Sequence, residues 1–209
     1  MAMPIYTIGH STLRVEEFTA QLVQHGITAV ADVRSSPYSR FNPQFNREAL
    51  KRELADCGVR YVFLGDELGA RSDDPCCYVG DKVQYKLLAK TRSFESGLNR
   101  VIEGTKEHRI ALMCAEKEPL DCHRTILVAR ELVNRGHEVA HILADGSLEP
   151  HPDAMHRLMD QLGMSGQDMF RSFDEIIDEA YSRQSEKIAY DRSAAISVRD
   201  VREDDGNAP

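Results

Sequence analysis

The sequence predicts an α/β fold: a doubly wound, mainly parallel sheet of about five strands with helices on both faces. Two observations predict it. Short apolar, β-branched runs alternate with segments of helical period, the pattern of successive βαβ units. Right-handed crossovers then put every strand's C-terminal end on one edge, and in this chain polar and reactive residues gather after four of those ends.

Taken in order, Pro4–Gly9 (PIYTIG) reads as the first strand. Ser11 or Thr12 is placed to cap the next helix, which turns Val15, Phe18 and Leu22 to one side and ends at Gly26. Ile27–Val33 (ITAVADV) is the second strand, and Arg34–Phe45 a loop bearing proline and serine. Asn46 caps a helix with Leu50 and Leu54 inward, closed by Gly58, and Val59–Leu64 (VRYVFL) is the third strand. Gly65–Gly80, with its glycines, Pro75 and an Asp pair, reads as a loop, and one or two helices fill Asp81–Thr105. Arg109–Cys114 (RIALMC) is the fourth strand, Cys122–Arg135 a helix ended by Gly136, and Glu138–Leu143 (EVAHIL) the fifth strand. Met155–Leu162 and Asp168–Tyr181 read as helices. From about Ser185 the periodicity fades into a charged, polar stretch. The expected organisation is one α/β domain over residues 1–183, of which 162–183 is a helical extension, and a disordered tail over 184–209. No internal repeat is present.

A chain of 209 residues, 42% hydrophobic, can bury a core without disulfide or metal staples. No apolar run approaches the roughly 18 residues of a membrane span. The start, Met-Ala-Met-Pro-Ile-Tyr, runs almost at once into a strand, which predicts no signal peptide and a cytoplasmic location. The net charge of −8 gives no general attraction to nucleic acid, although a local basic cleft still suits phosphate. Five cysteines, an odd number without a secretory signal, are expected as reduced thiols. Of these, Cys57 reads as a filler near a helix end, Cys76 and Cys77 fall in a loop, and Cys114 and Cys122 are the pair that matters.

Four motifs stand at the expected edge: Tyr6-Thr7-Ile8-Gly9-His10-Ser11, Asp32-Val33-Arg34-Ser35-Ser36-Pro37-Tyr38-Ser39-Arg40, Leu64-Gly65-Asp66-Glu67-Leu68-Gly69, and Cys114-Ala115-Glu116 with Cys122-His123-Arg124. In this order, over about Pro4 to Leu143, they resemble the bacterial and archaeal domain-of-unknown-function family 488. The resemblance implies that the segments form one unit. It implies no activity.

The residues themselves suggest chemistry. A cysteine in the first turn of a helix feels the positive end of the dipole, which favours the thiolate. Cys122 or Cys114 is therefore a candidate nucleophile, with His123 or His10 as base and Glu116 as acid or base. His123 and Arg124 point about 100° apart on a helix, so one of them faces Cys122. The bland alternative is a core-strand Cys114 with Cys122 packed as a small hydrophobe.

A metal is the other active reading: Cys114, Cys122, His123 and His10, with Glu116, contain enough ligands for zinc or iron. Against it, C-x7-C-H is not a finger or ribbon spacing, and adjacent helical ligands rarely reach one ion. Rhodanese-like and tyrosine-phosphatase sites are disfavoured because Glu116, Glu118 and Asp121 would repel phosphate or sulfate. Asp121-Cys122-His123-Arg124 is similar to the Pro-Cys-His-Arg of DNA alkyltransferases, in a different setting, after a parallel strand.

For binding, Arg34, Arg40, Ser35, Ser36 and Ser39 form a loop suited to oxyanions, with Tyr38, Phe41 and Phe45 as stacking surfaces. Arg124 and Ser11 join that candidate set. Ser11 is equally a helix cap, and Asp32 equally an ion-pair partner that orients Arg34. His137, His141, His151 and His156 read as structural or exposed. No G-x-G-x-x-G follows the first strand and no G-x-x-x-x-G-K-[ST] is present, so NAD and ATP have no support. The expectation is a thiol-dependent transferase or hydrolase without a cofactor, acting on an anionic nucleotide or nucleic-acid component. The rival is a non-catalytic sensor or accessory module that binds a metal or an anion.

Overall fold

The computed structural model describes residues 3–164 and 171–193. The chain opens with β1 (Ile5–Gly9), α1 (Val15–Gln24), β2 (Ala29–Asp32), α2 (Arg47–Asp56) and β3 (Arg60–Phe63). A connecting region follows, made of α3 (Gly65–Leu68), a hairpin of β4 (Tyr78–Val79) and β5 (Lys82–Val83), and α4 (Tyr85–Leu88). Next come α5 (Arg92–Gly104) and β6 (Ile110–Cys114), then a π-helical segment over Arg124–Ala129 that runs into α6 (Arg130–Asn134). β7 (Val139–Ile142), β8 (Leu148–Pro150), α7 (His151–Gln161) and α8 (Phe173–Ile188) complete the described chain.

The central sheet has six strands in the order β3-β2-β6-β1-β7-β8. The first five run parallel, and β8 pairs antiparallel with β7 at the edge. All five residues of β1 and of β6 are buried, as strands covered on both faces must be. Their side chains alternate between two cores. Tyr6, Ile8, Ala111 and Met113 pack with Phe18 and Leu22 of α1 and Leu50 and Leu54 of α2. Ile5, Ile110, Leu112 and Cys114 belong to the opposite core, with Leu98 of α5, Leu132 of α6, Leu158 of α7 and Ile176 of α8.

This arrangement selects one place for chemistry. The chain leaves β1 and β2 toward the α1–α2 face, whereas it leaves β6, which lies between them, toward the other face. The C-terminal end of β6 therefore lies at a topological switch point, where open parallel sheets bind ligands.

Several expectations need correction. The sheet gains β8, too short and polar to show a period, and the expected loop 65–80 holds α3 and half a hairpin. Neither Ser11 nor Thr12 caps α1. Its N-cap is Arg14, whose N–H donates to the Glu17 carboxylate at 3.2 Å, while Ser11 takes a positive φ of 46° in the preceding turn. Asn46 does precede α2, but its Oδ1 accepts the Ser39 N–H at 2.7 Å instead of capping.

At the far end, α8 continues past Tyr181 to Ile188, because Gln184 is buried and donates to Leu120 O at 2.8 Å. The expected tail is ordered further still: Val83 N–H donates to Tyr190 O at 3.0 Å, and Arg192 lies 3.6 Å from the Tyr78 ring centre. The expected helix start at Asp168 and residues 194–209 lie outside the described residues. Among the described residues, no helix is long and apolar enough to cross a membrane.

Candidate functional site

The site begins where β6 ends. Cys114 is paired in register with Gly9, and the loop after Cys114 folds directly across the end of β1. His10 and Ser11 N–H groups donate to Cys114 O and Ala115 O at 3.0 and 2.9 Å. A side chain at position 9 has no room, since a Cβ there would lie 1.9 Å from Glu116 O. The glycine of the first motif is thus explained by close approach of two backbones. Pro119–Asp121 then makes a 3-10 turn, with the Glu118 carboxylate accepting the Leu120 N–H at 3.1 Å, and returns the chain at Cys122.

Four side chains from this β6-to-helix passage converge. One ligand-type atom from each of Cys114, Glu116, Cys122 and His123 lies within 4.8 Å of the others. His123 Nδ1 is 3.7 Å from Cys114 Sγ and 3.9 Å from Cys122 Sγ, and Glu116 Oε2 is 2.9 Å from Cys122 Sγ. His123 Nε2 lies 2.9 Å from Val33 O. A carbonyl only accepts, so Nε2 carries a proton, and Nδ1 faces both sulfurs. Cys122 and His123 share this point although adjacent, because Cys122 is extended (φ −134°, ψ 140°) and His123 begins the helical geometry. The objection to neighbouring helical ligands does not apply, since Cys122 is not yet in a helix.

Arg124 turns the other way. It is fully buried, donates from Nη1 to Glu116 O at 2.8 Å, and has no ion-pair partner among the described residues. Its backbone N–H points to Cys122 Sγ at 3.4 Å. Arg124 is accordingly not open to a substrate, as the sequence had suggested; it is a cation locked under the cluster. The π-helical segment starts at this residue, a distortion that recurs at functional sites.

Protonation follows these contacts. Burial favours the neutral Cys122 thiol, but the Cys114 hydrogen bond, the Arg124 charge and His123 outweigh it and hold its pKa well below the thiol range. Cys114 moves far up, through burial and then the hydrogen bond and charge of Cys122. Glu116 is exposed as a residue, but its carboxyl turns in against the buried Cys122 sulfur at 2.9 Å; that desolvation, then the Cys122 charge, raise it. Burial opposes a charged His123, yet the hydrogen bond and charge of Cys122 reverse that and raise it. The cluster concentrates negative charge on one sulfur, with Glu116 sharing the proton.

The β1 and β2 residues form a separate knot. Asp32, unexposed, takes Arg34 Nε and Nη2 at 2.9 and 2.6 Å and the Tyr61 hydroxyl at 2.7 Å. Arg34 also donates to Phe45 O at 2.9 Å, and its Nη1 meets His10 Nε2 at 3.2 Å. The expected oxyanion clamp is thus spent on internal partners, and Asp32 is its counter-ion instead of a substrate contact. His10 is no base for the cysteines either: Nδ1 donates to Ser11 O at 2.9 Å, and the ring stacks on Phe45 with centres 4.2 Å apart. Burial, then the Arg34 charge, lower the His10 pKa to about 4. The cluster takes Glu116, not His10, as its fourth donor.

Beyond Arg34 the loop is ordered from within. Ser39 Oγ accepts the N–H groups of Phe41 and Asn42 at 3.2 and 3.1 Å, so Ser39 shapes the turn. Tyr38 and Phe41 are 66% and 82% exposed, and Arg40 is exposed without an ion pair among the described residues. Sequence reasoning missed Tyr85. It is buried at the start of α4, and its hydroxyl pKa is raised by burial and then by the charges of Cys122, Glu116 and Cys114. A cleft of about 1040 Å³ opens on the same edge, lined by Ser35, Gly65, Gly69, Arg71, Cys76 and Thr91 but by none of the four clustered residues.

No curated protein and no solved structure matches the chain. The model of the family described as Domain of unknown function DUF488 matches residues 14–130, a span that holds Arg34, Cys114, Glu116, Cys122 and His123, and this chain belongs to that family.

Proposed function

We propose that this protein is a thiol-dependent transferase or hydrolase in which Cys122 is the attacking sulfur. The observation that carries the reading is the buried Arg124, which has no carboxylate partner among the described residues. A guanidinium with no exposure and no carboxylate partner needs a negative charge close by. The Cys122–Glu116 pair, which shares one proton across 2.9 Å, supplies one. In the reaction the Cys122 thiolate bonds to an electrophilic centre while the leaving group departs with its electron pair and takes the proton of Glu116. Water in a hydrolase, or an acceptor in a transferase, then displaces the sulfur and returns a proton to Glu116. Glu116 is exposed and lies over a sulfur that is only 1% exposed, so its movement is the way in. The exposed Tyr38, Arg40 and Phe41, on the loop that leaves β2 after Val33, support an anionic, ring-bearing substrate such as a nucleotide or nucleic-acid component.

Residue-resolved alkylation of chelator-treated protein with iodoacetamide at neutral pH tests the reading. Cys57 and Cys76 are exposed and serve as internal reference thiols. Cys122 is expected to react faster than both despite its burial. If it reacts no faster than they do, the thiolate chemistry is wrong.

A further inference from the structure

We propose that Cys114, Cys122, His123 and Glu116 hold one zinc ion, the resident cofactor of the thiolate centre. The inference rests on the reading of Cys122 given above and adds a ligand to the same site.

Distance is the first argument. Zinc binds sulfur at about 2.3 Å and imidazole nitrogen at about 2.0–2.1 Å, so tetrahedral bonds set the two donors roughly 3.6 Å apart. His123 Nδ1 lies 3.7 Å from one sulfur and 3.9 Å from the other, so both contacts are close to this span. They are long for a hydrogen bond that holds two buried sulfurs and a ring together, and right for three groups around a common centre. The 2.9 Å from Glu116 Oε2 to Cys122 Sγ is shorter than a shared ion allows. Glu116 is also the exposed donor of the four and sits on a loop, so it is the one free to draw back.

Chemistry and charge agree. Thiolates with an imidazole are a soft, nitrogen-and-sulfur set that selects zinc over calcium or magnesium. A ligating histidine uses one ring nitrogen on the metal and donates the other to an oxygen, as His123 Nε2 does to Val33 O at 2.9 Å. Two thiolates, one carboxylate and a divalent ion sum to one negative charge. The buried Arg124, anchored on Glu116 O and without a carboxylate of its own among the described residues, balances it. Three donors are buried and one is exposed, so displacement of Glu116 would open the ion, and the sulfurs it holds, to an incoming group. Metal coordination is an established way to present a cysteine as a nucleophile.

Plasma mass spectrometry of the full chain, purified without chelator, is expected to find one zinc per chain, and none after Cys114→Ser with Cys122→Ser. Circular dichroism establishes that the double variant is folded. If it is not, the wild-type protein is stripped by chelator and titrated with zinc, then with cobalt(II). One equivalent of each, with cobalt giving the intense visible bands of a tetrahedral thiolate site, supports the assignment. A folded wild-type protein that carries no zinc and takes up less than a tenth of an equivalent overturns it, and so does one equivalent of iron. The two readings fail separately. Bound zinc with an unreactive Cys122 in the stripped protein sinks the thiolate chemistry alone, whereas a fast Cys122 with no zinc uptake sinks the metal alone.

Discussion

Two buried polar centres hang on the same sheet and differ in how completely they are closed. Through the interior runs a chain of four side chains: Thr7 Oγ1 to His141 Nδ1 at 2.8 Å, His141 Nε2 to His151 Nδ1 at 3.0 Å, and His151 Nε2 to the Tyr181 hydroxyl at 2.6 Å. Every ring nitrogen has a partner at hydrogen-bond distance, and β1, β7, α7 and α8 are tied together by it. At the end of β6 the contacts of His123 Nδ1 are longer, and among the described residues Arg124 has no ion-pair partner and Arg124 Nε and Thr125 Oγ1 no hydrogen-bond partner. A closed network is already satisfied within the fold, whereas each unsatisfied group in an open one calls for an explanation. The Asp32–Arg34–His10 knot shows that position alone does not decide. It lies on the same edge of the sheet and is closed.

The largest effect that sharpens this contrast comes from Asp32→Ala. It would leave the 6%-exposed Arg34 a buried cation without its carboxylate, at a cost of about 3–5 kcal/mol in urea unfolding. A loss near zero would mean that the knot is not closed after all. Acid comes next. Burial lowers His10 and His151 to about 4, in His10 helped by the Arg34 charge, and burial with the His151 charge lowers His141 well below its usual value of 6.5. As pH falls below 6.5 the unfolded chain binds protons that His10 and His151 in the folded chain refuse until about 4, so stability is full above 6.5 and drains across that window. The loss is up to about 3 kcal/mol for each of these two histidines, and His141 adds to it in the same direction. Unfolding midpoints at pH 7 and pH 4.5 check it, and a flat profile would break the picture of neutral, buried rings. Tyr181→Phe is smaller, about 1–3 kcal/mol, because it strands one ring nitrogen of His151. It is also expected to leave the alkylation of Cys122 unchanged, as a closed centre should.

The contrast was only partly legible in the sequence. The βαβ alternation put the strand ends on one edge, and with it the meeting of Cys114, Glu116, Cys122 and His123 at the end of one strand, but not the strand order. The spent clamp had a signal as well. Asp32 and Arg34 are two apart at a strand end, and alternate residues of a strand share a face. What no period encodes is the partner across the sheet: nothing in His10 shows that its ring will lie between Arg34 and Phe45 instead of facing a sulfur. Tyr85, on α4, feels the charge of the cluster from beyond a hairpin that repetition does not announce. The ordered stretch through Arg192 is polar in sequence because its contacts are cation–π pairs and main-chain bonds, not an apolar stripe.

The smallest expected change in stability is also the one that separates the two centres best. Glu116 is exposed, so Glu116→Gln should move the unfolding free energy by no more than about 0.5 kcal/mol. Its carboxylate, however, competes with Cys122 for one proton across 2.9 Å. Glutamine carries no charge to repel the thiolate and still offers an N–H to it. The metal-free Cys122 sulfur is then ionised more of the time, and its alkylation at neutral pH should quicken while Cys57 and Cys76 stay as they were. A closed, structural cluster predicts the reverse, a clear loss of stability with no change in rate. That outcome would place the β6 edge with the histidine chain and leave the protein without a reactive centre there.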